Sequence, residues 1–401
     1  MPRQNNHLYL IFVITFLTVV FGAMNSVLSS SYLPDILRSL KGDASASDAI
    51  IIGAWINCAF LAGGTIGGIA FGFLSDSIGR RKALIWSLIF YSAGSAVGAM
   101  MTSWELLAVT RFFVGVGVGT ALVISAVVLS EIWKPATKAI ALGILSVAYP
   151  VGIIGSGAIT TSVQDWRTAL LIGAAAIVLV IPVALFVPET YTKPVEATVS
   201  SAAKPTGYNS RLILGILIYG TMLIGLWSAF SWLPTWVESL LGDNSATGQR
   251  DRGLTVTLLG VGGLVGSLVS GWLGNSIGLR TVQGICFVLC FALSLWMFRL
   301  SNTFSSAILI GCALLGLCFG ISQGVLNTLV PELFPSRLRS SATGLCFHVG
   351  RAFTAVAVFF IGAWAVWLGG YGNAIFVFSW TYIIGLIALM FIKSRDTQTT
   401  L

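Results

Sequence analysis

The stretch GFLSDSIGRRK, from Gly72 to Lys82, decides the fold. It sits between two long apolar segments, where a tight turn joining two membrane helices would sit. Gly79 supplies a backbone conformation closed to bulkier residues, and Gly72 is expected to let two helix backbones approach. Asp76 can cap or pair at a helix end, while Arg80, Arg81 and Lys82 anchor a cytoplasmic face. The pattern then recurs. GGTIGGIAFGFLSDSIGRRK starts at Gly63, and GGLVGSLVSGWLGNSIGLRT starts at Gly262. Aligned without gaps, Gly63, Gly64, Gly67, Gly72, Gly79 and Arg81 fall on Gly262, Gly263, Gly266, Gly271, Gly278 and Arg280. Asp76 falls on Asn275, so the second copy lacks the charge. A second pair agrees: in SEIWKPATKAIALG and PELFPSRLRSSATG, Glu131 matches Glu332 and Gly143 matches Gly344. Two halves repeated in the same order predict two parallel six-helix bundles.

Composition points the same way. Of 401 residues, 56% are hydrophobic and 9% charged, against about a quarter charged in a soluble domain. Apolar runs of about 20 residues recur, as a polytopic α-helical membrane protein requires. The formal charge of +8 does not imply nucleic acid, because the basic residues gather in loops at one face. Cys58, Cys286, Cys290, Cys312, Cys318 and Cys346 all lie in apolar segments without metal-ligand spacing and read as small buried residues. No metal or cofactor is expected. The start MPRQNNH, followed by a long apolar run, does not read as a cleavable signal.

Twelve spans are predicted, at about 8–33, 50–74, 83–102, 105–131, 138–162, 167–187, 211–240, 253–274, 282–299, 304–331, 340–367 and 372–392. The polar segment PETYTKPVEATVSSAAKPTGYNS separates an N-terminal bundle, 1–187, from a C-terminal one, 211–401, with 188–210 as linker. With the N-terminus inside, fourteen of the 22 basic residues fall on the inner face. Arg38, Lys41, Arg167, Arg250, Arg252 and Arg299 make the six outside. Both termini and the linker are therefore expected to be cytoplasmic, in a plasma or bacterial inner membrane. Only Arg111 and Arg351 remain inside predicted spans.

The repeated loop resembles the signature of the major facilitator superfamily, where it follows the second transmembrane helix. RFFVGVGVG, from Arg111, resembles that superfamily's fourth-helix signature, an arginine followed by alternate glycines. A nucleotide-loop reading of GVGVG fails, because no strand precedes it. The resemblance implies that helices 1, 4, 7 and 10 line a central cavity. That makes Asn25, Ser29 and Tyr32 candidate solute contacts on the first span. Thr221, Ser228 and Trp232 are candidates on the seventh, and Gln323 and Asn327 on the tenth, each set sharing a helix face. FGAMNS resembles the FGY-Asp or FGY-Asn of sugar porters, one position out of register, with Asn25 where symporters carry aspartate. PET at 188–190 resembles another sugar-porter signature. SAFSWLPTWVESLL resembles FxxWLPTWL of aromatic-acid and niacin-type porters, and its Pro234 can break the helix and mark a moving outer segment. VPELFPSRLRSSATGLCFHVGR resembles the helix 10–11 region of organic-acid and niacin-type porters. AYPVGIIGSG lacks the Gly-Pro pair of antiporters and adds Tyr149 as a cavity candidate.

A mid-membrane cation without a carboxylate at its depth asks for an anion. Arg351 has His348 one turn earlier and is assigned to a solute carboxylate, with Arg111 as a second contact or a structural tie to helix 1. None of the fourteen acidic residues lies mid-membrane, leaving Asp35 and His348 as proton-coupling candidates. Asp76, Arg80, Arg81, Glu131, Glu332 and Arg337 are expected to form the inner gate. The expected protein is a monomeric secondary transporter of a small organic anion, in the lipid bilayer, with protons as possible co-substrate. A neutral-sugar uniporter, an efflux antiporter and a non-transporting sensor stay open as alternatives. An enzyme is not expected, since no nucleophile–base pair is present.

Overall fold

A computed structural model describes residues 2–42, 46–190, 207–241, 245–335 and 338–392. Its membrane-crossing helices are α1 His7–Ser31, α2 Asp48–Ile78, α3 Arg80–Met100, α4 Trp104–Ile132, α5 Ile140–Ser162 and α6 Trp166–Phe186 in the first half. The second half contributes α7 Tyr208–Leu241, α8 Gly248–Ile277, α9 Leu279–Leu300, α10 Ser306–Glu332, α11 Ala342–Ala365 and α12 Tyr371–Met390. These are twelve spans among the described residues, and each satisfies its own backbone as the hydrocarbon core demands. Residues 191–206 of the expected linker lie outside the described residues. Bulky apolar side chains cover the outside: Trp272 is 70% exposed and Trp367 82%. That surface suits acyl chains and would be untenable in water.

Glycine positions explain how the halves are built. A Cβ at Gly63 would stand 2.0 Å from the Phe112 carbonyl oxygen, and one at Gly119 would stand 2.1 Å from that of Gly64. So α2 and α4 meet backbone to backbone, as spaced small residues permit. The repeat does the same between α8 and α10. There a Cβ at Gly262 would be 1.9 Å from the Ala313 carbonyl oxygen, and one at Gly320 would be 2.1 Å from that of Gly263. Gly79 and Gly278 start α3 and α9 with φ of 99° and 88°, the left-handed region the loop reading required.

The halves pack through α5 with α8 and α2 with α11. At the end away from the Gly72–Lys82 loop this contact is tight: a Cβ at Gly157 would meet Thr257 Oγ1 at 2.3 Å, and one at Gly362 would meet the Ala54 Cβ at 2.7 Å. We call this the seal end. At the opposite, loop end, Gly72, Gly143, Gly271 and Gly344 have nothing within 4 Å of a Cβ position. Gly72 therefore makes no close helix approach here, contrary to expectation. The four glycines are two repeat-related pairs on α2, α8, α5 and α11, and they line space rather than contact.

Two local expectations also change. α7 runs unbroken through Pro234. After α1 the chain adds a short helix, Leu33–Lys41, started by Pro34 and buried along Leu33, Pro34, Ile36 and Leu37. It lies over the seal end.

Candidate functional site

Midway along the bundle, Arg351 on α11 is 3% exposed, and its Nε and Nη2 have no hydrogen-bond partner. A Cβ at Gly64 would stand 2.3 Å from Nη2, so the missing side chain on α2 is what admits the guanidinium. Tyr149 on α5 lies within electrostatic reach of Arg351 and donates its hydroxyl proton to Ser26 Oγ at 3.0 Å. The Tyr149 ring meets Trp227 at 6.4 Å between centroids, and Trp227 meets Phe60 at 5.9 Å. Arg111 stands over Phe60, 5.0 Å from the ring centre. Its Nη2 donates to the Asn25 carbonyl at 2.8 Å, while Nε and Nη1 have no partner. Both interior arginines thus converge on one turn of α2, joined by an aromatic row of Phe60, Trp227 and Tyr149. His348 packs its ring against Gly68, where a Cβ would be 2.9 Å from Cε1, and its Nδ1 has no partner. Such a site can hold an anionic group by charge-assisted hydrogen bonds and a flat apolar body by ring contact.

Several expected contacts lie elsewhere. The Asn25 amide donates to Phe21 and Gly173 carbonyls at 2.9 and 3.0 Å, so it ties α1 to α6. Tyr32 donates to the Ile159 and Val163 carbonyls at 3.1 and 2.6 Å and belongs to the seal. Thr221 faces α12, where a Cβ at Gly385 would meet its Oγ1 at 2.4 Å. Trp232 is fully buried, donates to the Val358 carbonyl at 2.9 Å and packs between Gly53 and Gly362, again in the seal. Ser228 and Ser29 are each 1% exposed, and Ser228 donates to the Ile224 carbonyl of its own helix. Gln323 is half-buried with an unpartnered amide nitrogen, and Asn327 accepts from the Tyr219 hydroxyl at 2.7 Å. A shared helix face did not decide which side of the helix meets the cavity. Phe60, Trp227 and Ser26 were not anticipated; their signal, apolar residues and a serine among many, does not stand out in the sequence.

The expected gate residues sort unevenly. Arg80 pairs with Asp76 and lies 3.3 Å from Glu131, while its backbone N–H donates to Glu189. Thr190 donates to Glu131. This knot gives the PET segment a structural role, fastening the end of α6 to the repeated loop inside one half. Arg81 has no hydrogen bond or ion pair among the described residues. Glu332 lies within electrostatic reach of Arg339, and Arg337 lies outside the described residues. Asp35 is not a free helix end. It lies 2.6 Å from the Arg252 guanidinium.

A family model described as Major Facilitator Superfamily matches residues 14–357. The chain belongs to this superfamily. It is a transporter and not an enzyme. It is 29% identical to the sialic acid transporter NanX of Escherichia coli over 329 residues, covering 79% of this chain and 78% of that protein. It is 26% identical to the cis,cis-muconate transport protein of Acinetobacter baylyi, covering 98% of this chain and 97% of that protein. Among solved structures, the crystal structure of a D-xylose-proton symporter has a TM-score of 0.81 at 16% identity, over 98% of this chain and all of that one. That likeness concerns the fold alone.

Proposed function

We propose that the transporter carries a small organic anion, a carboxylate with a flat or conjugated body, and that Arg351 is its anchor. The single observation behind this is Arg351: a guanidinium 3% exposed, inside the membrane, with Nε and Nη2 unpartnered and no carboxylate paired to it among the described residues. A substrate carboxylate would supply the counter-charge such a group needs. Arg111 is a second anionic contact, and Trp227, Phe60 and Tyr149 are the faces for the solute's body. Relatives named for sialic acid and cis,cis-muconate, both acids, support the same class.

Transport proceeds by rocking of the two halves about this midplane site. With the N-terminus and the repeated loop in the cytoplasm, as the loop charge predicts, the arrangement described above is inward-facing. His348 is the proton-coupling group, because its buried Nδ1 has no partner and it lies one turn from Arg351. The protein works as a monomer in a bacterial inner membrane. Counterflow in proteoliposomes tests the assignment, using labelled cis,cis-muconate or benzoate as probes with D-xylose as the neutral control. Exchange of a carboxylate, lost in Arg351→Gln, is expected. Exchange of D-xylose alone, unaffected by that substitution, would replace the anion reading with sugar transport.

A further inference from the structure

Four charges meet at the seal end, two from each half. Asp35 and Arg38 come from the short helix after α1; Glu238 comes from the end of α7 and Arg252 from the start of α8. Arg252 is 1% exposed, the deepest of the four. Its Nη2 lies 2.6 Å from Asp35, across the halves, and its Nη1 lies 3.5 Å from Glu238, within its own half. Arg38 pairs closely with Glu238 across the halves and lies 3.4 Å from Asp35 within its own. The pattern is regular. Every charge has one partner on each side of the interface, and the pairs across it are the shorter ones.

We propose that this quartet is a pair-exchange latch. When the seal is closed, Asp35–Arg252 and Arg38–Glu238 hold the halves together. When the halves part at this end, Asp35 keeps Arg38 and Glu238 keeps Arg252. No charge is then stranded, which matters most for Arg252, since an unpartnered buried charge is strongly destabilising. The latch strength resides chiefly in Asp35–Arg252, because the exposed Arg38 is well solvated and exposed ion pairs contribute little. Neutral bonds flank the quartet: Gln249 donates to the Thr160 carbonyl at 2.9 Å and Asn57 to the Ser231 carbonyl at 3.2 Å, both across the halves. The inference does not depend on which solute is carried, only on the need of this end to open.

Charge exchange tests it. Exchanging the charges within one half, as D35R/R38D or as E238R/R252E, preserves the pair inside that half and sets like charges across the seal. Making all four substitutions restores opposite signs everywhere. Spin labels on cysteines placed at Gln164 and Asn302 report the seal end, and at Ser77 and Ser276 the loop end, with half-buried Cys58 replaced by serine. Each half-exchange should lengthen the seal-end distance and shorten the loop-end distance, and the fourfold variant should return both. The mild variant D35N should raise the seal-open fraction by about tenfold or more. Unchanged distances in D35N and the half-exchanges would overturn the latch. So would a folded fourfold variant that stays seal-open, since that would mean the residues serve folding within each half instead.

Discussion

Three guanidiniums are buried among the described residues, and their surroundings assign them different work. Arg252 is matched by two carboxylates, Arg111 is half-satisfied by the Asn25 carbonyl and the Phe60 ring, and Arg351 has two nitrogens with nothing to bond. Arg351→Gln should lose about 1.5–3 kcal/mol of solute binding, roughly ten- to hundredfold in Kd, with the melting temperature of the solute-free protein little changed. Calorimetry on both proteins checks this. Asn25→Ala should behave in the opposite way. It removes donors to Phe21 and Gly173, so about 1 kcal/mol of stability should go while solute affinity persists. Loss of affinity at constant stability would return Asn25 to the binding site. Arg351 and Arg111 were legible because a cation in an apolar run needs an explanation. Arg252 was not, because it stands at a span boundary where basic residues are ordinary and its partners are distant in sequence.

At the scale of elements, the repeat was legible and the faces were not. Glycines at fixed offsets encode backbone contact between α2 and α4 and between α8 and α10, and the contacts form as the spacing requires. Gly119→Val should leave little folded protein, because the Gly64 carbonyl oxygen already occupies the place of a Cβ at 2.1 Å and backbone cannot yield as a side chain can. Size-exclusion profiles in detergent would show it; a monodisperse valine variant would contradict the packing. Helical spacing on α1 and α7 left the rotation of each helix open. Neighbouring helices settle that, since Asn25 finds a carbonyl on α6 and Thr221 nestles at Gly385. Pro234 broke nothing: the proline's lost hydrogen bond is tolerated where surrounding helices are packed close, as buried Pro234 is.

For the whole molecule, twelve spans and two like halves follow from apolar runs and the repeat. Which end is shut does not, because the closed and open arrangements use the same residues. The open glycines give this asymmetry a consequence. Gly72, Gly143, Gly271 and Gly344 should become the contact surface when the loop end closes. Leucine at any of them should leave folding and solute binding intact while slowing counterflow several-fold or more; unimpaired exchange would show that the helices never meet there.

The most direct measurement is a thermal-shift comparison of purified wild-type protein and Arg351→Gln against carboxylates, neutral sugars and sugar acids. A specific ligand raises the melting temperature by mass action. Stabilisation by a carboxylate in the wild type, absent in Arg351→Gln, is the predicted result. Equal stabilisation of both proteins, or stabilisation by neutral sugars alone, would contradict the assignment of Arg351 to the solute's charge.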